Sequence, residues 1–174
     1  FIVSSGIAVS MVALHHALPK TPLYDPLHKA GRLRGLSSSD NTGPETNVVP
    51  LKMPYEELVE GFRKLHRRLL EDRVIFRRLS NKLRFLKNPL DSPHDPWSKK
   101  LAYLFRLFFF GILPGGFSRT YYFLRSILKS TPRSLATTVT DWIVSLSLKS
   151  YVDRHFDQAV SHTQTALQAL REKL

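Results

Sequence analysis

The sequence predicts a mainly α-helical chain preceded by a short strand-and-helix piece of a parallel (β/α) barrel. Three features point there. From Pro54 onward apolar residues recur at helical spacing. Before that, Gly6–Leu18 (GIAVSMVALHHAL) is rich in β-branched and small apolar residues and lacks helical charge spacing. Between the two lies a polar stretch, residues 37–50 (SSSDNTGPETNVVP), whose Ser, Asp, Asn, Gly and Pro all compete with regular structure. Residues 1–36 are accordingly read as a barrel fragment and residues 37–174 as a helical domain.

The opening segment is apolar on both faces until His15 and His16, the pattern of a strand buried on two sides. Pro19 and Pro22 end it, since neither can donate to a ladder. PLYDPLHKAGRL then gives one or two helical turns, with Gly31 suited to the position just past the helix end. A lone strand needs partners, and the chain begins at Phe1 rather than Met. Both suggest part of a larger protein, with apolar surface exposed around Val9–Leu18 when this chain stands alone.

In the helical part, Tyr55, Leu58, Val59, Phe62, Leu65 and Leu69 keep i, i+3, i+4 spacing, with Pro54 and two glutamates placed for a first turn. The stripe resumes at Phe76, Leu79, Leu83 and Leu86. Asp72 is suited to cap this second helix, so a break is expected near residue 71, and Asn88-Pro89 should stop it. DSPHDPW (Asp91–Trp97) reads as a turn-rich connection. Further helices are expected over Trp97–Ile112, Ser118–Ser130, Ser134–Lys149 and Val152–Lys173.

Lys and Arg number 26 against 14 Asp and Glu, a net charge of +12. That balance favours an anionic neighbour, whether nucleic acid, acidic lipid or an acidic protein face. The chain has no cysteine, which excludes disulfides, thiolate metal sites and thiol nucleophiles within it. The most apolar run, Leu101–Leu113, has 13 residues and contains Arg106. A span needs roughly 20 apolar residues, so a buried or interfacial helix is expected.

Candidate chemistry is sparse. His15 and His16 are neighbours on an extended segment and point to opposite sides, so they cannot chelate one metal together. Each reads first as a partly buried, hydrogen-bonded side chain; the alternative is that one faces a pocket at the C-terminal end of its strand, where parallel barrels build sites. The basic row Arg63, Lys64, Arg67, Arg68, Arg73, Arg77, Arg78, Lys82, Arg84 and Lys87 reads first as a solvated face, helped by Glu60 before Lys64. Nucleic-acid binding would want aromatics on that same face, and here they follow the core stripe. GILPGGFSR (Gly111–Arg119) lacks phosphate-loop spacing and reads as a helix–helix turn. Asp153, Arg154 and His155 fan over about 200° of helix and do not converge; the first two read as ion-pair partners. Asp141 stands alone as a polar candidate.

Two segments together resemble the C-terminal part of cobalamin-binding radical-SAM proteins. The first is FIVSSGIAVSMVALHHALPKTPLYDPLHKAGRL and the second TNVVPLKMPYEELVEGFRKLHRRLLEDRVIFRRLSNKLRFL. In that family the sixth barrel strand runs into Ala-Leu-Pro-Gly-Thr-Pro-Leu-Tyr and then Glu-Gly-Arg-Leu, and a helical domain follows, opened by Thr-Asn and a Pro. Matching positions are Ala17, Leu18, Pro19, Thr21, Pro22, Leu23, Tyr24, Gly31, Arg32, Leu33, Thr46, Asn47, Pro50, Met53, Leu58 and Gly61. YLFRLFFFGIL and DWIVSLSLKSYVDRHF are similar to the tail of the same helical domain, so the resemblance spans most of residues 1–156. Lys20 departs from the family's usual Gly and Ala30 from its frequent Glu. The first departure bears on how closely backbone can approach at that turn.

The resemblance implies a cytoplasmic enzyme with a 4Fe–4S cluster, S-adenosylmethionine and often cobalamin, commonly a methyltransferase. It implies that the backbone around His15, His16, Ala17 and Leu18 lies near the adenine of S-adenosylmethionine, and that no residue here ligates the cluster, whose Cys-x-x-x-Cys-x-x-Cys motif is not in this chain. The chain alone is then expected to bind none of these cofactors and to be inactive. Its partners would be the N-terminal part of the same protein and a small-molecule or lipid substrate, with peripheral membrane association compatible with the charge. A stand-alone basic helical module for acidic lipid or nucleic acid is the alternative reading.

Overall fold

The computed structural model describes residues 1–35, 43, 45–86 and 97–171, with side chains excepted at 97–100 and 157–171. The expected boundary at residue 36, Lys87, the stop at Asn88-Pro89 and most of the Asp91–Trp97 connection lie outside the described residues. Among the described residues six α-helices follow in order: α1 Tyr24–Lys29, α2 Tyr55–Leu69, α3 Asp72–Phe85, α4 Trp97–Leu107, α5 Gly116–Lys129 and α6 Leu135–Arg171. Between α4 and α5 the chain stays helical through a π turn, Phe108–Ile112, and a 3-10 turn, Leu113–Gly115. The protein is mainly α, as its apolar spacing predicts. No strand occurs among the described residues; one isolated antiparallel bridge joins Leu33 and Val48.

The described residues group into two compact units: Phe1–Ser10 with Arg68–Ser150, and Met11–Arg67 with Tyr151–Leu174. The first is organised by Ile75 and Leu79 of α3, Leu107 of α4, Ile112, Phe123 of α5 and Trp142 of α6, with Ala8 against them. Trp142 is fully buried. Its ring meets Phe123 edge to face, centroids 5.7 Å apart, and its indole N–H donates to Ser126 Oγ at 3.1 Å. A buried Trp needs such an acceptor, and Ser126 supplies it from the helix that packs against α3. The N-terminal residues reach α3 as well: Asn81 Nδ2 donates to the Val3 carbonyl at 2.7 Å.

In the second unit, Phe62 and His66 of α2 form an aromatic cluster with Phe156, centroids 4.3–5.9 Å apart. His66 therefore takes an inward place on α2, while Leu65 stays 41% exposed.

Three expectations need correction. Gly6–Leu18 forms no strand. Residues 8, 10, 12, 14 and 16 are turned at least partly inward and 7, 9, 11, 13 and 15 are exposed, so the segment is extended but covered on one side only. Met11 is 82% exposed, and the expected exposed apolar surface in this segment is present. Asp72 does not cap α3. Glu71 holds the extended N-cap position without a side-chain cap, its carbonyl accepting from Val74 and Ile75 at 2.8 and 2.9 Å; the break itself falls where expected. Finally, α6 is one helix, because no Gly or Pro interrupts residues 134–174. Before it, the Thr131 and Ser134 side chains bond each other's main-chain N–H groups, at 2.9 and 3.3 Å, in the manner of a capping box.

Candidate functional site

The structure gathers the motif residues into one joint around Ala17. Asn47 Oδ1 accepts from the Ala17 N–H at 2.9 Å, and Asn47 Nδ2 donates to the Ala17 carbonyl at 2.9 Å. One side-chain amide thus does for Ala17 what a neighbouring strand would do. Both residues are buried, so an unmade bond here would cost the full desolvation of a main-chain group. Next to it, Thr46 Oγ1 donates to the His15 carbonyl. The Tyr55 hydroxyl, from the first turn of α2, donates to the Thr46 carbonyl at 3.0 Å and accepts from the Thr46 N–H at 3.3 Å.

The residues after Asn47 are held by Arg32, Leu33 and Arg34. Arg34 N–H donates to the Asn47 carbonyl at 2.8 Å and Val49 N–H to the Arg32 carbonyl at 3.0 Å. The Arg32 guanidinium closes on the Val49 carbonyl through Nε and Nη2, at 3.1 and 2.8 Å. Arg34 stacks over the Tyr55 ring, 4.2 Å from its centroid.

Between these segments, α1 ends in a Schellman motif. Gly31 has φ +65°; its N–H donates to the His28 carbonyl and the Arg32 N–H to the Leu27 carbonyl. Gly31 is the post-helical residue its sequence position predicts. The turn ahead of α1 is tied by Thr21, whose N–H and hydroxyl both reach the Leu18 carbonyl. Lys20 adopts φ +67°, the one non-glycine positive φ among the described residues.

Of the four residues expected near an adenine, His15 and Leu18 are exposed, His16 is half-buried and Ala17 is fully buried. Both main-chain groups of Ala17 are taken by Asn47, so Ala17 offers a ligand no hydrogen bond; contact from this segment would fall to its neighbours. No cluster of three His, Asp or Glu side chains with metal-binding proximity occurs among the described residues.

Elsewhere the polar candidates have structural partners. The basic row is mostly exposed, but Arg78 is buried and donates to the Leu69 carbonyl at 3.0 Å. Burial pulls its guanidinium pKa down, and the Asp141 carboxylate pulls it back up. Asp141 itself binds Lys82 at 2.7 Å. The solvated reading therefore fails at Arg78, which lies on the inner side of α3. His66 is depressed by burial, against hydrogen bonds to the Phe62 and Val12 carbonyls; its Nδ1–H donates to Phe62 at 3.2 Å. His155 donates to the Tyr151 carbonyl at 3.0 Å.

GILPGGFSR is a turn, as read. The Arg119 side chain lies across it, donating to the Gly111 carbonyl at 3.0 Å and to Asp72 at 3.2 Å. A Cβ on Gly115 would meet Arg119 Nε at 2.1 Å. An open cleft of about 390 Å³ is lined by residues including Glu71, Arg73, Ser118, Tyr122 and Lys149. Its mixed charges converge on no single chemistry.

Sequence reasoning missed Asn47 as the keystone. The signal was its place in the Thr-Asn motif, but its partner lies 30 residues away and no local rule connects them.

Together these features define a helical domain whose first helices are entered through a hydrogen-bonded joint between two short motifs. The chain belongs to the family described as Domain of unknown function (DUF4070), whose model matches residues 21–161. Comparison with curated proteins gives no match, and neither does comparison with solved structures.

Proposed function

We propose that this chain is the C-terminal region of a cytoplasmic radical-SAM enzyme of the cobalamin-binding type, a methyltransferase, in which the helical part covers a barrel and helps shape the substrate pocket. The observation that carries this reading is the joint at Ala17. The motif residues on which the resemblance rests fall in one place: Asn47 holds Ala17 through two hydrogen bonds, Thr46 binds the His15 carbonyl and Arg32 binds Val49, tying together segments up to 31 residues apart. The family match over residues 21–161 supports the same reading.

In this reading the joint fixes the height and tilt of His15–Leu18, the segment beside the adenine. Its chemistry is positional: Asn47 and Thr46 hold backbone, and side chains or main-chain groups flanking Ala17 make any ligand contact. A 4Fe–4S cluster does not fit the residues present, since the chain has no thiolate to ligate it. The cluster ligands would come from the N-terminal part of the same protein. S-adenosylmethionine and cobalamin would likewise be held mainly there.

The reading frame immediately upstream of Phe1 tests this. We expect it to encode a barrel with a Cys-x-x-x-Cys-x-x-Cys motif. A frame that encodes neither would overturn the proposal.

A further inference from the structure

The helical stretch Leu101–Lys129, 29 residues long, is apolar enough to cross a membrane by length and composition, with mean hydropathy 1.4, yet only 11% of its most apolar window is buried. Large apolar side chains stand in solvent along it: Phe105, Phe109, Phe110, Phe117, Leu124 and Leu128 are all exposed, Phe110 at 80% and Phe117 at 96%. The Phe105 and Phe109 rings meet at 4.7 Å between centroids, and Phe117, Leu124 and Leu128 share one face of α5 by their spacing, a clustering that marks an interaction surface rather than scattered surface hydrophobes.

Charge says what covers it. Between Asp95 and Asp141 the sequence has seven Lys or Arg and no Asp or Glu. Arg106, Arg125, Lys129 and Arg133 are exposed on or beside the same helices. Pairing this face with its own copy would bring like charges together. The combination of Phe and Leu on one side with Arg and Lys around them is that of an interfacial helix on an anionic bilayer.

The opposite side of the stretch is committed to protein. Leu107, Ile112 and Phe123 pack with Trp142, and Arg119 is paired to Asp72. Lipid on all sides would break those contacts, which favours contact with a membrane surface through the exposed side over a lone span. The π and 3-10 turns and Gly116, at φ +79°, interrupt it midway.

We infer that the exposed face of α4 and α5 seats this protein on an anionic phospholipid surface, with the aromatic and leucine side chains in the headgroup region and the basic residues on the lipid phosphates. This inference does not depend on the radical-SAM reading.

Vesicle co-sedimentation of the chain tests it, using phosphatidylcholine alone and phosphatidylcholine mixed with phosphatidylglycerol. With several cations at the surface, binding to the anionic vesicles should be roughly 100-fold tighter and should weaken as salt rises. Phe110→Ser combined with Phe117→Ser should abolish it, and Arg106→Gln combined with Arg133→Gln should remove the preference for anionic lipid. In a Trp97→Phe background, circular dichroism and the emission of buried Trp142 report whether each variant is folded. Independently, Phe117→Trp in the same background should add emission that brominated lipid quenches. Failure to bind vesicles, equal binding to neutral and anionic vesicles, no quenching, or a dimer that Phe110→Ser dissociates would each overturn the inference.

Discussion

Backbone conformation at single residues yields the most direct stability tests. Lys20 holds a left-handed conformation with a side chain that disfavours it. Lys20→Gly should therefore stabilise the chain by up to about 1 kcal/mol, the relief of strain being partly offset by greater freedom of the unfolded chain. Gly31 presents the mirror case. A methyl there meets nothing within 4 Å, so Gly31→Ala should lose about 1 kcal/mol from backbone strain alone. Urea unfolding midpoints measure both. At Asn47, Asn47→Asp keeps the shape but leaves no donor for the Ala17 carbonyl, and should cost about 2–4 kcal/mol against the milder changes above. His66 adds a pH dependence. Burial lowers its pKa in the folded state, so the unfolded chain binds the proton more readily. Its contribution is intact above the unfolded value of about 6.5 and is lost as pH falls below it. The unfolding midpoint should drop between about pH 7 and about pH 5, and His66→Gln should flatten that drop.

Helices and their junctions show where sequence pattern suffices. The stripe beginning at Tyr55, the break near residue 71 and the turn at Pro114 are legible because each is written in local spacing or in Gly and Pro. Arg78 was not legible: on a helix crowded with basic residues, only the packing of α3 reveals that one of them is inward. The unbroken α6 is written in the sequence as an absence of breakers, since no Gly or Pro separates the two helices expected over Ser134–Lys149 and Val152–Lys173. The extended segment before His15 alternates in exposure, as a strand would, while no strand among the described residues lies beside it. Gly6 sits against α3 so closely that a Cβ would come 2.6 Å from the Lys82 amide nitrogen, and its φ is +73°. Gly6→Ala should cost about 3 kcal/mol, combining overpacking with strain, and lower the thermal midpoint far more than Gly31→Ala does.

Across the whole molecule, the helical fold class follows from patterning, whereas the joint that organises the candidate site does not. Asn47 and Ala17 are brought together by long-range closure, and long-range closure leaves no period in a sequence. Only the order of the motifs hinted that they belong to one structure. Under the proposed function a cluster would be held elsewhere in the same protein, because this chain has no cysteine to ligate it. That reading predicts a division of labour: the barrel supplies the radical chemistry, and the Ala17 joint sets the position of the segment beside S-adenosylmethionine.

The most direct measurement is 5′-deoxyadenosine formation as a function of S-adenosylmethionine concentration, by this chain joined to the residues encoded upstream of Phe1 and assayed without oxygen. We expect cleavage of S-adenosylmethionine, and we expect Asn47→Ala to raise the half-saturating concentration roughly tenfold while the folded protein keeps its iron and its helical signal. No cleavage by the joined protein, or an Asn47→Ala protein with unchanged dependence on S-adenosylmethionine, would contradict it.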